Sequence, residues 1–129
     1  MDKKKILIVD DEVRLCRILK LNLEETGDYE VQTESKSTNV MSIVFSFRPD
    51  LIVLDFVMPE MDGGDVLKLL EANPRTKNIP IIFLTAVATK EDTRDQGTVI
   101  GGHFVIAKPV DMEELIEAIE RKLLEKGYS

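Results

Sequence analysis

The chain has 129 residues, of which 43% are hydrophobic and 32% charged, the balance of a water-soluble globular protein. A chain of this length forms one domain that buries about two-thirds of the surface exposed when it is unfolded. The net charge of −7 argues against nucleic-acid binding, which usually requires a basic face. We therefore expect residues 1–129 to form a single acidic domain that does not bind nucleic acid directly.

The lack of a targeting signal and the cysteine content indicate the cellular compartment. No apolar run approaches the length of a membrane span, and the first residues lack the apolar core of a signal peptide. A single cysteine, Cys16, excludes an internal disulfide and fits the reducing cytoplasm. Because Cys16 lies in a helical pattern, a small buried side chain is a better interpretation than a reactive thiol. We expect a cytoplasmic protein with no membrane contact.

The first two predicted strands differ in character. Ile6–Val9 is a continuous apolar run, which is typical of a strand buried on both faces of a parallel sheet. Tyr29–Glu34 alternates apolar and polar side chains, which indicates a more exposed edge strand. Between them we predict a helix over Glu12–Glu25. Its apolar face is formed by Leu15, Ile18, Leu19 and Leu23.

The middle of the chain continues the alternation of helices and strands. A helix over Thr38–Phe47 precedes a buried strand over Leu51–Leu54. A short helix over Gly64–Ala72 then precedes another buried strand, Ile81–Leu84.

The last part of the chain contains the least regular segment. Thr89–Gly102 should hold a helix, but its threonine, glycine and valine content disfavours one, so we expect it to be short, irregular or mobile. The strand Phe104–Ala107 follows. The final helix begins at Asp111, a good N-cap with Glu114 as its capping-box partner.

This alternation predicts an α/β fold, a (βα)5 arrangement in which a doubly wound five-stranded parallel sheet carries helices on both faces. The edge character of the second strand fits the strand order 2-1-3-4-5. Parallel strands all end at one edge of the sheet, where open α/β sheets bind ligands. Polar residues directly follow the four buried strands at this edge: Asp10 with Asp11, Asp55, Thr85 and Lys108.

Three carboxylates that lie close together repel one another unless a cation joins them. Oxygen ligands without histidine or cysteine favour a hard ion, and Mg²⁺ suits a site of a few carboxylates plus water and phosphate oxygens. Lys108 adds a positive charge for a phosphoryl oxygen, and Thr85 adds a hydroxyl donor. A carboxylate can itself be the nucleophile that forms an aspartyl-phosphate. The cluster therefore predicts a site that holds a phosphoryl group.

Each motif alone has an ordinary structural explanation. Asp-Asp after a strand is often a helix N-cap, Lys-Pro is a common turn, and Met58–Gly63 has the chemistry of a loop. Their joint occurrence, in order and each at a strand end, argues against coincidence. The only histidine, His103, does not specify a relay or metal site by itself, and a structural role is the better interpretation.

From about Lys4 to Lys126 the chain resembles the receiver domain of two-component response regulators. The resemblance rests on an acidic pair, a phosphoacceptor strand with its following loop, and two further signature positions. These are Val9–Glu12, Leu54-Asp55 with Met58–Gly63, Thr85-Ala86, and Lys108-Pro109.

The resemblance implies a flavodoxin-like fold and a role for each motif residue. Asp55 would accept a phosphoryl group from a phosphohistidine on a sensor histidine kinase or a histidine phosphotransfer protein. Asp11, Asp55 and the backbone carbonyl of Val57 would bind Mg²⁺ directly, with Asp10 acting largely through water. Lys108, in a cis peptide bond with Pro109, would pair first with Asp55 and then with the phosphoryl group.

The same resemblance implies a signalling switch that turns over no small molecules. Thr85 would move to the phosphoryl group and shift the domain between two states, so that it controls a downstream protein or a fused output domain that this chain lacks. The aromatic residue usual three positions before the lysine is replaced by Val105, and Phe104 should point to the opposite face. Val57 and Val87 occupy positions that tune hydrolysis, and both are apolar, so we expect slow autodephosphorylation.

Two other functions fit parts of the pattern. A degenerate receiver would act as a phosphate-independent protein-interaction module. A metal-dependent phosphatase or a flavin protein could use a similar sheet. However, Val57 stands where such a phosphatase would want a second acid, and Asp-Asp-Glu stands where a flavin protein would need a phosphate-binding loop.

Overall fold

A computed structural model describes residues 2–86, 99–100 and 102–126 of the chain. The expectations for Val87 and for most of Thr89–Gly102 fall outside these residues.

The described strands form one mixed sheet. Their bounds are β1 Lys4–Val9, β2 Tyr29–Glu34, β3 Leu51–Asp55, β4 Ile81–Thr85, β5 Val99–Ile100 and β6 His103–Ala107. They lie in the order β2-β1-β3-β4-β6-β5. All neighbours are parallel except β5, which pairs antiparallel with β6. The five parallel strands, counted along the chain, therefore have the predicted order 2-1-3-4-5.

The sixth strand is an addition to the predicted five-stranded sheet. Val99 pairs with Phe104 and Ile100 with His103, so β5 and β6 form a short hairpin at the edge. The sequence contains a signal for it, since a Gly-Gly pair, here between Ile100 and His103, is typical of a two-residue hairpin turn. Gly102 has a φ of +84°, a conformation that favours glycine.

The described residues contain four α-helices: α1 Val13–Glu25, α2 Val40–Phe47, α3 Gly63–Glu71 and α4 Met112–Glu125. The predicted bounds agree within one or two residues. The helix expected from Thr38 begins two residues later, because Ser37–Asn39 forms a 3₁₀ turn before α2. Asp111 is the N-cap of α4 as predicted, and its side chain accepts hydrogen bonds from the N–H groups of Glu113 and Glu114.

Two hydrophobic cores hold the helices against the two faces of the sheet. In β1, β3 and β4 alternate residues belong to opposite cores, so that in β3 Leu51 and Val53 pack with α1 and α4, while Ile52 and Leu54 pack with α2 and α3. Every residue of β3 and β4 is buried, as their continuous apolar runs predict. In β2 the alternation of exposed and buried residues begins at Tyr29 and confirms an edge strand.

One residue of the predicted α1 face was assigned wrongly. Ile18 is 55% exposed, and the buried stripe of α1 consists instead of Cys16, Leu19 and Leu23. These three positions are spaced by three and four residues, so they lie on one side of the helix, whereas Ile18 is rotated about 100° from Leu19.

Candidate functional site

The sheet brings the predicted polar residues together at its carboxyl edge. Val9 pairs with Leu54, and Thr85 pairs with Ala107, so the residues that follow these strands lie side by side. Asp10, Asp55 and Thr85 are 0%, 3% and 2% exposed. Asp11 is exposed at the rim. Each of the three aspartates offers a carboxylate oxygen, and these oxygens lie within 4.8 Å of one another.

The Lys108 ammonium group lies among three carboxylates. Its Nζ is 2.7 Å from Glu12 Oε1, 2.9 Å from Asp10 Oδ2 and 3.4 Å from Asp55 Oδ2. The backbone N–H of Lys108 donates to the carbonyl of Thr85 at 2.8 Å, and the bond from Lys108 to Pro109 is cis, as the resemblance implies. Sequence reasoning placed Lys108 correctly but missed Glu12, whose only signal was its place after the acidic pair.

The carboxyl group of Asp55 has an unusually high pKa. Burial raises it most, the Asp10 carboxylate adds to the effect, and Lys108 and the N–H of Val57 oppose it. The result is a pKa of about 7, against an ordinary value of 3.8. Without a further cation, Asp55 therefore holds a proton over part of the neutral range. A bound cation would favour the ionised, nucleophilic form.

The buried carboxylate of Asp10 fits a cation site. Asp10 Oδ1 accepts a hydrogen bond from the backbone N–H of Glu12 at 2.8 Å. Within the described part of the chain no donor reaches Oδ2 with hydrogen-bond geometry, although the Lys108 ammonium lies 2.9 Å away. A cluster of three carboxylates, two of them buried, supplies the kind of oxygen ligands that Mg²⁺ prefers. Asp10, Asp11 and Asp55 are thus able to hold such an ion.

The loop after Asp55 is fixed by close backbone packing. The N–H of Phe56 donates to the carbonyl of Leu84, and the N–H of Gly63 donates to the carbonyl of Phe56, both at 2.8 Å. A Cβ atom on Gly63 would lie 2.8 Å from both the Asp55 carbonyl oxygen and Phe56 Cα, so only glycine fits there. Asp62 then caps α3 in a reciprocal capping box, which the sequence analysis did not predict.

Val57 lies at the open side of this loop. Its backbone N–H donates to Asp55 Oδ1 at 3.3 Å, and the residue is 58% exposed. The residue two positions after Asp55 therefore presents an apolar side chain to solvent. The role of the Val57 carbonyl as a metal ligand stays a prediction.

Phe104 and Val105, the second and third residues of β6, face opposite sides of the sheet, as predicted. Val105 is buried in the core shared with α2 and α3. Phe104 packs on the other side beneath α4, where Lys122 Nζ lies 4.3 Å and Arg121 Cζ 5.5 Å from the centre of its ring. A valine therefore occupies the buried position that the family usually fills with an aromatic residue.

Cys16 and His103 have structural surroundings. Cys16 is buried, its thiol donates to the Asp10 carbonyl at 3.2 Å, and burial raises its pKa to about 11, so the unreactive thiol form dominates at neutral pH. His103 stacks edge-on against Phe83 with ring centres 6.1 Å apart, and its Nε2 lies 3.8 Å from Glu71 Oε2. Burial lowers the pKa of His103, and Glu71 opposes this. These contacts support the structural interpretation of both residues.

Residues 6–120 match the model of the response regulator receiver domain. The chain belongs to this family. It is 40% identical over 126 residues to the probable transcriptional regulator ycf27 of Cyanophora paradoxa, covering 98% of this chain and 50% of that protein. It is 34% identical over 119 residues to the DNA-binding dual master transcriptional regulator RpaA of Synechocystis sp., covering 92% and 48%.

Solved structures agree with this assignment. The chemotaxis protein CheY4 of Vibrio cholerae is 28% identical and superposes with a TM-score of 0.80, covering 95% of this receiver domain and all of that chain. By contrast, the receiver domain spans about half the length of the curated relatives that it matches. No helix among its described residues is long and apolar enough to cross a membrane.

Proposed function

We propose that this receiver domain is a phosphorylation-dependent switch in which Asp55 is the phosphoacceptor. The observation that carries the proposal is the position of Asp55. Its carboxylate is almost completely buried at the end of a central strand, within the acid cluster and 3.4 Å from the Lys108 ammonium. A buried carboxylate beside an ammonium group, in a cluster that could hold a metal ion, matches the needs of phosphoryl transfer, which depends mainly on positioning and charge stabilisation.

The donor is a phosphohistidine on a sensor histidine kinase or a histidine phosphotransfer protein. A carboxylate oxygen of Asp55 attacks the phosphorus, the phosphorus–nitrogen bond breaks, and its electron pair leaves with the donor's imidazole. Lys108 stabilises the negative charge on the phosphoryl oxygens, and the Thr85 hydroxyl donates to one of them. The movement of Thr85 shifts the domain between its two states.

Mg²⁺ is the proposed cofactor, held by Asp10, Asp11, Asp55 and the backbone carbonyl of Val57. When bound, it supplies positive charge that offsets both the carboxylates and the incoming phosphoryl oxygens. The cluster of three carboxylates, the burial of Asp10 and the raised pKa of Asp55 support this proposal.

Membership of the family supports proposals about what this domain controls and where in the cell it acts. Receiver domains act as signalling proteins rather than as enzymes that turn over small molecules. This one would control a downstream protein or a fused output domain, and the curated relatives are about twice as long as the part that it matches. Any DNA contact would belong to that output domain, because the receiver carries a net charge of −7. A cytoplasmic location and a single domain over residues 1–129 stay predictions.

The test is the mass of the intact protein after incubation with a small-molecule phosphodonor and Mg²⁺. The wild type and an Asp28→Asn control, which changes an exposed aspartate remote from the cluster, should each gain one phosphoryl group. Asp55→Asn should gain none, and neither should the wild type after chelation of the metal. An adduct that persists in Asp55→Asn would disprove the assignment. Failure of the wild type to take up phosphate or to bind beryllofluoride would favour the phosphate-independent interaction module.

The phosphorylated domain should be long-lived, with autodephosphorylation over many minutes or longer. Attack on the acyl phosphate requires a positioned water, and the exposed side chain of Val57 has no group that can orient one. Val57→Asn should therefore shorten the lifetime severalfold, measured as the decay of the phosphorylated mass. Val57→Ala is the matched control because it stays apolar. Equal lifetimes for the asparagine and alanine variants would contradict this explanation.

A further inference from the structure

The Lys108 ammonium group contacts Glu12 more closely than it contacts the phosphoacceptor. The distance from Nζ to Glu12 Oε1 is 2.7 Å, whereas the distance to Asp55 Oδ2 is 3.4 Å. The contact joins residues 96 positions apart in the chain, so it depends on the folded arrangement of the sheet edge. Glu12 therefore competes directly for the charge that a phosphoryl group on Asp55 would need.

The local structure of Glu12 also turns it towards Lys108. Glu12 is the N-cap residue of α1, a position where a side chain commonly accepts hydrogen bonds from the first N–H groups of the helix. The Glu12 side chain makes no such capping bond. Its backbone N–H is instead tied to Asp10 Oδ1 at 2.8 Å, which holds the residue beside the acid cluster.

We propose that Glu12 is a positioning residue that holds Lys108 in the unphosphorylated state and releases it when a phosphoryl group occupies Asp55. This inference rests on the proposed function and adds a regulatory contact to it. The phosphoryl group places more negative charge beside Lys108 than the bare Asp55 carboxylate does. Lys108 then moves towards the phosphoryl oxygens, and the contact with Glu12 is lost or weakened. Glu12 thereby raises the threshold for phosphorylation.

The size of the effect follows from the exposure of the pair. The Lys108 side chain is only 12% exposed, but that of Glu12 is 61% exposed, so solvent and salt screen the contact. Exposed ion pairs of this kind change equilibria by a factor of about two to five. Removal of the Glu12 charge should therefore strengthen the binding of a phosphoryl mimic by about two- to fivefold at low ionic strength, and high salt should reduce the gain.

The experiment compares Glu12→Gln with the wild type and with Glu30→Gln, which removes one exposed charge from the edge strand β2. Beryllofluoride is titrated into each protein at saturating Mg²⁺ and followed by calorimetry, at low and at high ionic strength. We expect tighter binding for Glu12→Gln alone, with a gain that shrinks in salt. Binding equal to that of Glu30→Gln, or weaker, would overturn the role of Glu12 while leaving the proposed function intact. Absence of binding in the wild type would instead refute the proposed function.

A second measurement does not depend on affinity. The NMR signal of the Lys108 ammonium group, assigned with a Lys108→Arg variant, should shift in unliganded Glu12→Gln. It should coincide with the wild-type signal once beryllofluoride is bound, because Lys108 has then left Glu12. A purely structural effect of Glu12 on helix α1 would not disappear in the bound state. An unshifted signal in the unliganded variant would overturn the proposal.

Discussion

The variant Asp55→Asn should become more stable relative to the wild type as the pH rises. The folded protein raises the pKa of Asp55 from 3.8 to about 7, mainly through burial and then through the Asp10 carboxylate. A raised pKa in the folded state contributes stability that is fully present below the unfolded pKa and is lost as the pH rises through the folded pKa. The wild type should therefore lose this contribution between about pH 4 and about pH 8.

The magnitude follows from the linkage relation. Between about pH 5 and about pH 8, a carboxyl group with these two pKa values lowers the free energy of unfolding by about 2 to 3 kcal/mol. Asp55→Asn cannot lose a proton in this range, so it lacks the decrease. The lowered pKa of His103 has the opposite sign, since it favours the fold at higher pH, but it is common to both proteins. The difference between the two proteins therefore cancels the His103 contribution and reports on the acid cluster that contains Asp55.

Urea denaturation in the presence of a chelator provides the assay, with the wild type, Asp55→Asn and the charge control Glu30→Gln compared at both pH values. The stability of Asp55→Asn relative to the wild type should increase by about 2 to 3 kcal/mol from about pH 5 to about pH 8. Glu30→Gln should follow the wild type, because Glu30 lies exposed on the edge strand. Parallel pH profiles for the wild type and Asp55→Asn would refute the electrostatic reasoning about the acid cluster.

Two predictions concern the loop that follows the phosphoacceptor. Gly63→Ala should lower the free energy of unfolding by about 1 to 3 kcal/mol in urea denaturation and impair phosphoryl uptake, because its Cβ would overlap the backbone of Asp55 and Phe56. Gly64→Ala is the control, since its nearest neighbour is the side chain of Asp62, and equal losses would contradict the steric argument. Asp62→Ala should lower the free energy of unfolding by about 1 kcal/mol, because the helix cap is lost. An unchanged free energy of unfolding in the same assay would show that the capping box is dispensable.

The sheet could be predicted from the sequence because its strands are buried on both faces. A continuous apolar run such as Leu51–Leu54 is typical of a strand buried on both faces, and the helices between such runs favour parallel order. Once the strands are parallel, Asp10, Asp55 and Lys108 must lie at one edge. The acid cluster could therefore be predicted without knowledge of side-chain geometry.

The errors and omissions arose where several local arrangements suit the same pattern. Ile18 is as apolar as its neighbours, and only the packing against the sheet selects Cys16 for the buried stripe. The hairpin of β5 and β6 contains only two residues in one strand, too few for a periodic signal. The contact from Glu12 to Lys108 spans 96 residues and depends on the rotamers of two long side chains, which sequence spacing does not specify.

The acid cluster is unfavourable for folding, and the same property makes it responsive. Asp10 and Asp55 are buried carboxylates that repel each other, and of the ammonium groups in the described part of the chain only that of Lys108 lies close to both of them and to Glu12. The arrangement therefore has an excess of negative charge that can be relieved by a proton, by a divalent cation or by a shift of Lys108. A phosphoryl group on Asp55 changes this balance and competes for the same lysine. Since the three carboxylates share one cation, a change at any of them alters the partners of the others, and this coupling is the physical basis for a switch at this edge of the sheet.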